Sequence, residues 1–156
     1  TKEEQLALWK AFSLADMIAS DHAPHTIVEK EQSYLKAPSG LPGVETMLPV
    51  FLDAALRGKM DLLRIVRMLS ANPARIFSVK HKGTIHEGFD ADIVLVNPKK
   101  ERVLSGSSLH SKCGWTPFEG RKLKGVIEGV YLRGTLAFDG QEPLAQKGMG
   151  KPLHIG

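Results

Sequence analysis

The stretch "ADMIASDHAPHT", residues 15–26, decides how this chain is interpreted. Its apolar beginning, residues 15–20, is typical of a short buried strand. Asp21, His22 and His25 then follow within five positions. Aspartate is a hard oxygen ligand and a possible general base, and histidine is a metal ligand or a donor to an anionic substrate. The stretch therefore predicts polar chemistry at the carboxyl end of a strand, where α/β barrels place their catalytic groups.

The structural alternative is a polar loop in which His22 and His25 only satisfy backbone carbonyls. For an isolated Asp-His-x-x-His motif this is the commoner case, because most buried or half-buried polar side chains simply complete local hydrogen bonding. Three residues also do not complete a zinc site, which needs further histidine or carboxylate ligands. The rest of the sequence must decide between the two interpretations.

Composition restricts the class of protein. A length of 156 residues allows one domain or parts of two, and 42% hydrophobic with 24% charged residues is typical of a globular chain. No apolar run is long enough to span a bilayer, so we expect no membrane partner. The net charge of +4 comes from scattered basic residues with few aromatics, which argues against a nucleic-acid partner. A single cysteine, Cys113, excludes an internal disulfide and predicts a cytoplasmic location.

Apolar spacing predicts an α-helical first half. Helices are expected over residues 1–12, 44–56 and 62–69, and a further one from Asn72-Pro73, since proline suits a first helical position. Residues 21–43 are rich in proline, glycine, serine and charge and predict a long loop. Loops of this length inside compact domains usually carry function.

Near residue 80 the sequence pattern changes from helical spacing to short strands. Short strands are predicted at four places, with glycine and aspartate punctuation that favours hairpins: residues 93–96, ended by Asn97-Pro98, then 126–127, 130–133 and 135–138. The tail from residue 139 shows no periodicity. The chain also begins without methionine, directly in a helical pattern, which predicts a piece of a longer protein.

Five motifs carry a family resemblance. They are "SDHAPHT" at 20–26, "PSGLPGVETMLPVFL" at 38–52, "SANPARIF" at 70–77, "GTIHEGFDADIVLVNP" at 83–98 and "KCGWTPFEG" at 112–120. Together, and in this order, they resemble the C-terminal part of the dihydroorotases, the cyclic amidohydrolases of pyrimidine biosynthesis. The third and fourth motifs are similar to the amidohydrolase superfamily in general. The first two are more specific for dihydroorotases and their nearest relatives.

The resemblance implies an α/β fold. It would be the C-terminal part of a TIM-type (β/α)8 metal-dependent hydrolase barrel plus part of a small β-sandwich domain. Residues 1–80 would hold the last strand–helix units of the barrel. Residues 81–156 would hold the β-domain segment and the C-terminal tail.

The resemblance also implies site residues. Asp21 matches the aspartate that ligates one metal of a zinc centre and acts as the catalytic general base. The substrate-binding residues would be His25, which helps to hold the substrate carboxylate, and the loop whose backbone binds the ring, made of Pro38, Ser39 and Gly40. His22 is expected to be structural. The implied reaction is the reversible hydrolysis of dihydroorotate to N-carbamoyl-L-aspartate.

The chain departs from the family pattern because it lacks most of the family's metal ligands and part of its substrate-binding residues. The family's other metal ligands, and an arginine and an asparagine for the substrate carboxylate, lie upstream of the matching segment. We therefore expect one or two zinc ions held mostly by residues absent from these 156, an N-terminal barrel portion as the first partner, and no activity of the segment alone.

Three alternatives remain open, of which a free-standing binding module is the least favoured, because a cut barrel edge would expose apolar surface. An allantoinase-like or hydantoinase-like cyclic amidohydrolase would share the barrel and the motifs at 70–77 and 83–98. A non-catalytic dihydroorotase-like chain would serve as a structural partner of aspartate carbamoyltransferase, although Asp21 and His25 argue against it. A homodimer is a further possible assembly.

Overall fold

The structure, a computed structural model, describes residues 1–156 and confirms an α/β chain. The helices are α1 (Lys2–Ala11), α2 (Ile27–Lys30), α3 (Met47–Leu56), α4 (Leu62–Val66) and α5 (Asn72–Ile76). The strands are β1 (Ile93–Val103), β2 (Lys122–Leu132) and β3 (Thr135–Phe138), which form one antiparallel sheet in the order β1-β2-β3. None of the helices combines the length and apolarity that crossing a bilayer requires.

Helix α1 confirms the predicted first helix. Thr1 accepts a hydrogen bond from the backbone N–H of Glu4, and the Glu4 side chain reaches back to the Thr1 amine, which completes a capping box. The helix leads into a short 3-10 turn, where Phe12 stacks on Phe51 of α3 at 5.5 Å between ring centroids. This contact anchors the start of the chain to α3.

The strand predicted at residues 15–20 is wrong. The segment forms no strand, because no second strand lies beside it among residues 1–156. The backbone groups of Asp16 and Ile18 bond to the helical segment at residues 62–76. The N–H of Ile18 donates to the carbonyl of Met68 at 3.2 Å, and the Asn72 side chain donates to the carbonyl of Asp16 at 2.6 Å. These bonds fix the segment that leads into Asp21.

The two helices predicted after residue 60 form one helical run. Asp61 caps α4, accepting from the N–H of Leu63 at 3.3 Å. Between α4 and α5 the turns widen into a π-helical stretch, Arg67–Ala71, in which the N–H of Asn72 donates to the carbonyl of Arg67. Pro73 has no N–H and would crowd the carbonyl four residues before it. The wider turn accommodates the proline without ending the helix.

The sheet contains longer strands than the sequence predicts. Asn97-Pro98 does not end β1, because the register shifts between Asn97 and Glu101 and the proline falls in this irregularity, where no ladder N–H is required. The strands predicted at 126–127 and 130–133 are one strand, β2. The predicted hairpin between β2 and β3 is confirmed: Arg133 and Gly134 both have positive φ, +48° and +79°, as a type I′ turn requires.

Helix α3 packs on β2 and brings the two halves of the chain into contact. Gly125 has φ +91°, and a Cβ there would lie 2.9 Å from methyl groups of Leu52 and Leu56, so only glycine allows this approach. Asp53, buried beside Leu52, accepts the N–H of Lys124 at 2.8 Å. The division into domains at residue 80 stays a prediction.

Candidate active site

Two distant motifs lie side by side in the structure. We call residues 20–25 the first arm and residues 38–44 the second arm. Ala23 of the first arm donates its N–H to the carbonyl of Leu41 at 3.1 Å, within a parallel bridge that pairs His22 with Leu41. The two stretches that carry the most specific part of the family resemblance therefore form one local structure.

Glycines of the second arm allow the two arms to approach each other closely. A Cβ on Gly40, whose φ is +110°, would lie 2.6 Å from the carbonyl oxygen of Ala23. A Cβ on Gly43 would lie 2.8 Å from the carbonyl oxygen of Ser20. Both distances are shorter than van der Waals contact allows, so any side chain at these positions would push the arms apart.

Gly40→Ala is expected to destabilise the native polypeptide more than Gly58→Ala. Both glycines have positive φ, but a Cβ on Gly58 meets nothing within 4 Å. The control therefore measures the backbone cost alone, about 1 kcal/mol. The clash at Gly40 adds roughly 1–3 kcal/mol, as for overpacking. Urea unfolding of the two variants checks this. Equal losses of unfolding free energy would show that the arms do not meet at Gly40.

Asp21 has an unusual backbone conformation. Its φ is +43°, in the left-handed region that aspartate and asparagine enter more readily than most residues. Its side chain is exposed, and its carboxylate takes part in none of the hydrogen bonds that join the arms. Residues held in such conformations are concentrated at functional sites. Asp21 is therefore available to bind a ligand or to accept a proton.

His22 links the two arms, which agrees with the structural role expected for this residue. Its Nδ1 accepts hydrogen bonds from the N–H of Gly43 at 3.0 Å and of Val44 at 3.3 Å. Both bonds require the lone pair of Nδ1, so the proton of the neutral ring is on Nε2. An imidazole used in this way is not free to bind a ligand through Nδ1.

His25 is half-buried at the end of the first arm. Its Nδ1 lies 4.0 Å from the carboxylate of Glu29, in the first turn of α2. Hydrogen bonds from the hydroxyl and backbone N–H of Thr26 hold the pKa of Glu29 below its ordinary value, and His25 lowers the pKa slightly further.

Pro38, Ser39 and Gly40 form an exposed or half-exposed turn in the second arm. The ammonium of Lys30 donates to the carbonyls of Pro38 at 2.8 Å and of Gly40 at 3.3 Å. Ser39 lies between these two residues, and neither its backbone N–H nor its carbonyl has a hydrogen-bond partner within the chain. Lys30 thus holds the residues on both sides of Ser39, while the backbone groups of Ser39 itself are free to bind a ligand.

Sequence reasoning missed three residues that support the arms. His110 binds Glu45 through its backbone N–H at 2.8 Å and its Nδ1 at 2.9 Å. Trp115 donates its indole N–H to the carbonyl of His25 at 2.7 Å. Lys30 is the third. Only Trp115 lies in a recognisable motif, and nothing in the local sequence predicts contacts across 65 and 90 positions.

The metal-ligating groups of the chain do not make a complete metal site. Among residues 1–156, no three histidine, cysteine, aspartate or glutamate side chains lie close enough together to hold a metal ion. Zinc takes at least three protein ligands. The donor set of this chain alone therefore does not fit a zinc ion, and Asp21 could supply only one ligand.

The family of the chain follows from comparison with known proteins. The model of the amidohydrolase family matches residues 3–137, and the chain belongs to this family. The motifs of both arms lie within the matched range.

Individual relatives add detail. A dihydroorotase of Halobacterium salinarum is 50% identical over 126 residues, which are 80% of this chain and 29% of the relative. The multifunctional protein pyr1-3 of Dictyostelium discoideum is 41% identical over 98% of this chain and 6% of its own length. The solved L-hydantoinase (dihydropyrimidinase) of Arthrobacter aurescens has a TM-score of 0.91 and 30% identity, with 97% of this chain and 35% of that chain covered. The chain thus spans about a third or less of the relatives that it matches.

Proposed function

We propose that the native polypeptide carrying these residues is a dihydroorotase, which reversibly hydrolyses dihydroorotate to N-carbamoyl-L-aspartate. The observation that carries this proposal is the pairing of the two arms, in which the Asp-His-Ala-Pro-His stretch lies against the Ser-Gly-Leu-Pro-Gly stretch. The identity with relatives named dihydroorotase supports it.

Each site residue has a proposed task in the hydrolysis. Asp21 is the general base: it accepts a proton from the attacking water as the carbon–oxygen bond forms, and it gives that proton to the ring nitrogen as the carbon–nitrogen bond breaks. His25 binds the carboxylate of the substrate. The ring lies against the backbone of Pro38, Ser39 and Gly40, where a small residue permits close approach.

We further propose zinc as the metal of this enzyme, one or two ions. Members of the family are generally metal-dependent. Asp21 would supply one carboxylate ligand, and the remaining ligands would come from residues outside these 156. When bound, such a metal polarises a carbonyl and lowers the pKa of water.

We propose that the chain completes a (β/α)8 barrel and a small β-sandwich domain, with residues 1–80 in the barrel and 81–156 in the sandwich. Only 14 of 156 residues are buried, and large apolar side chains such as Leu6, Leu14 and Leu35 are 62%, 83% and 93% exposed. Apolar surface of this extent requires a covering partner. The preceding barrel portion is the proposed cover.

A hydantoinase-like activity is the second candidate, favoured by the similarity to the solved L-hydantoinase. The dihydroorotase assignment is preferred because identity to the dihydroorotases is higher. A homodimer or a complex with aspartate carbamoyltransferase in the cytoplasm is the proposed setting. The multifunctional relative and the single Cys113 agree with this setting.

A substrate comparison tests the proposed function. The native polypeptide is assayed with dihydroorotate, hydantoin and allantoin, with zinc and after chelation. The proposal predicts the highest kcat/KM for dihydroorotate and loss of activity on chelation. Preference for hydantoin would support the second candidate. A folded polypeptide without any of these activities would indicate a structural role.

A further inference from the structure

Lys30 connects the two arms through a helix that is fixed at its beginning. Helix α2 follows the first arm directly: Thr26 is its N-cap and forms a capping box with Glu29. Lys30 ends this helix, and its half-buried ammonium occupies the carbonyls on both sides of Ser39. Bonds from a charged donor are roughly twice as strong as neutral ones. The position of the second arm is therefore set by the first.

Trp115, in the second half of the chain, contacts both His25 and Lys30. Its indole N–H donates to the carbonyl of His25, and its ring faces the ammonium of Lys30 at 6.0 Å from the centroid. The backbone of Trp115 packs closely on Gly106: a Cβ on Gly106 would lie 2.5 Å from the Cα of Trp115, and the N–H of Gly106 donates to Glu119 at 2.6 Å. One side chain thus holds the end of the first arm and faces the cation that holds the second arm.

We propose that Lys30 and Trp115 are positioning residues that act as one unit to fix the spacing of the two arms and so set the affinity for the cyclic substrate. The inference rests on the proposed dihydroorotase function. Neither residue takes part in the chemistry. Their loss changes how well the ring-binding turn at Pro38, Ser39 and Gly40 is placed relative to His25.

Steady-state kinetics of the native polypeptide with dihydroorotate test this inference. Lys30→Met keeps the aliphatic stem but removes both hydrogen bonds to the second arm. We expect KM to rise about tenfold, with kcat within about twofold, because the net effect of the two bonds is about that of one charge-assisted hydrogen bond. Lys30→Arg retains donors and should restore KM to within about threefold of the unsubstituted value. Lys36→Met, in the same loop and exposed, should change neither constant. An unchanged KM in Lys30→Met overturns the proposal.

A double-mutant cycle tests whether the two residues act together. Trp115→Phe removes the indole N–H and keeps an aromatic ring, and it should raise KM about fivefold. If the pair is one unit, combining it with Lys30→Met should raise KM no further than Lys30→Met alone. Multiplicative effects would overturn the proposal. If Lys30→Met does not fold, Trp115→Phe decides alone, since an unchanged KM contradicts the role.

Failure of the proposed function is distinguishable from failure of this inference. If the unsubstituted polypeptide does not hydrolyse dihydroorotate, the proposed function is wrong. Amide hydrogen exchange then still tests whether Lys30 holds the second arm. Exchange of residues 38–44 should be about tenfold faster in Lys30→Met than in Lys36→Met. Equal exchange in the two variants overturns the positioning role.

Discussion

Asp21→Asn is expected to lower kcat for dihydroorotate hydrolysis by about 10²–10⁴-fold, the contribution of a general base. Asparagine tolerates the left-handed backbone that Asp21 adopts, with φ +43°, about as well as aspartate does. The substitution therefore removes the charge and the basic oxygen without refolding the arm. Single-turnover kinetics of the native polypeptide would measure the loss at the chemical step.

Asp16→Asn is the matched control for this substitution. Asp16 is exposed, lies in the same extended segment, and contributes only its backbone carbonyl to the packing against Asn72. Its kcat should stay within about twofold of the unsubstituted value, as for surface changes away from a site. An Asp21→Asn variant that keeps more than a tenth of the activity would remove Asp21 from the chemistry.

Asp53→Ala is expected to lower the free energy of unfolding by about 3 kcal/mol. The buried carboxylate accepts the N–H of Lys124 at 2.8 Å and pairs with Arg57 at 2.6 Å, with Arg121 3.8 Å away. Hydrogen bonds to a charged group contribute roughly 1.5–3 kcal/mol each, and the N–H left behind in the α3–β2 interface gains no new partner. Urea unfolding measures the loss. Asp16→Ala, at an exposed position, should cost less than about 0.5 kcal/mol.

The same carboxylate predicts a pH dependence of stability. Burial tends to raise the pKa of Asp53, but the hydrogen bond from the backbone of Lys124 and the guanidinium groups of Arg57 and Arg121 outweigh burial and hold the pKa below its ordinary value. A depressed folded-state pKa means that this stability is present above the unfolded pKa of roughly 4 and is lost as pH falls through the folded value. Asp53→Asn should flatten this acid limb. An unchanged acid limb would show that Asp53 does not couple α3 to β2.

Local signals in the sequence predicted the features that depend on neighbouring residues. The first helix and the hairpin between residues 130–133 and 135–138 were predicted because each depends on residues that are near one another in the sequence. The structural role of His22 was also anticipated, although its partners in the second arm were not. The composition of the loop at 21–43 correctly indicated that it carries little regular structure.

Features that depend on distant residues could not be predicted in this way. An apolar run such as residues 15–20 forms a strand only when a second strand pairs with it, and none lies beside it among residues 1–156. On propensity alone Pro98 would be expected to end a strand, but the irregular register of β1 accommodates this proline. Asp53 and Lys30 look like ordinary surface charges, because the backbone groups that they bind lie 71 and up to 10 positions away.

Amide hydrogen exchange of the native polypeptide with and without dihydroorotate tests most directly whether the two arms form the substrate site. We expect slower exchange at residues 20–25 and 38–44 on binding and no change in the hairpin of β2 and β3. Protection confined to other parts of the polypeptide, under conditions where dihydroorotate is hydrolysed, would contradict the account.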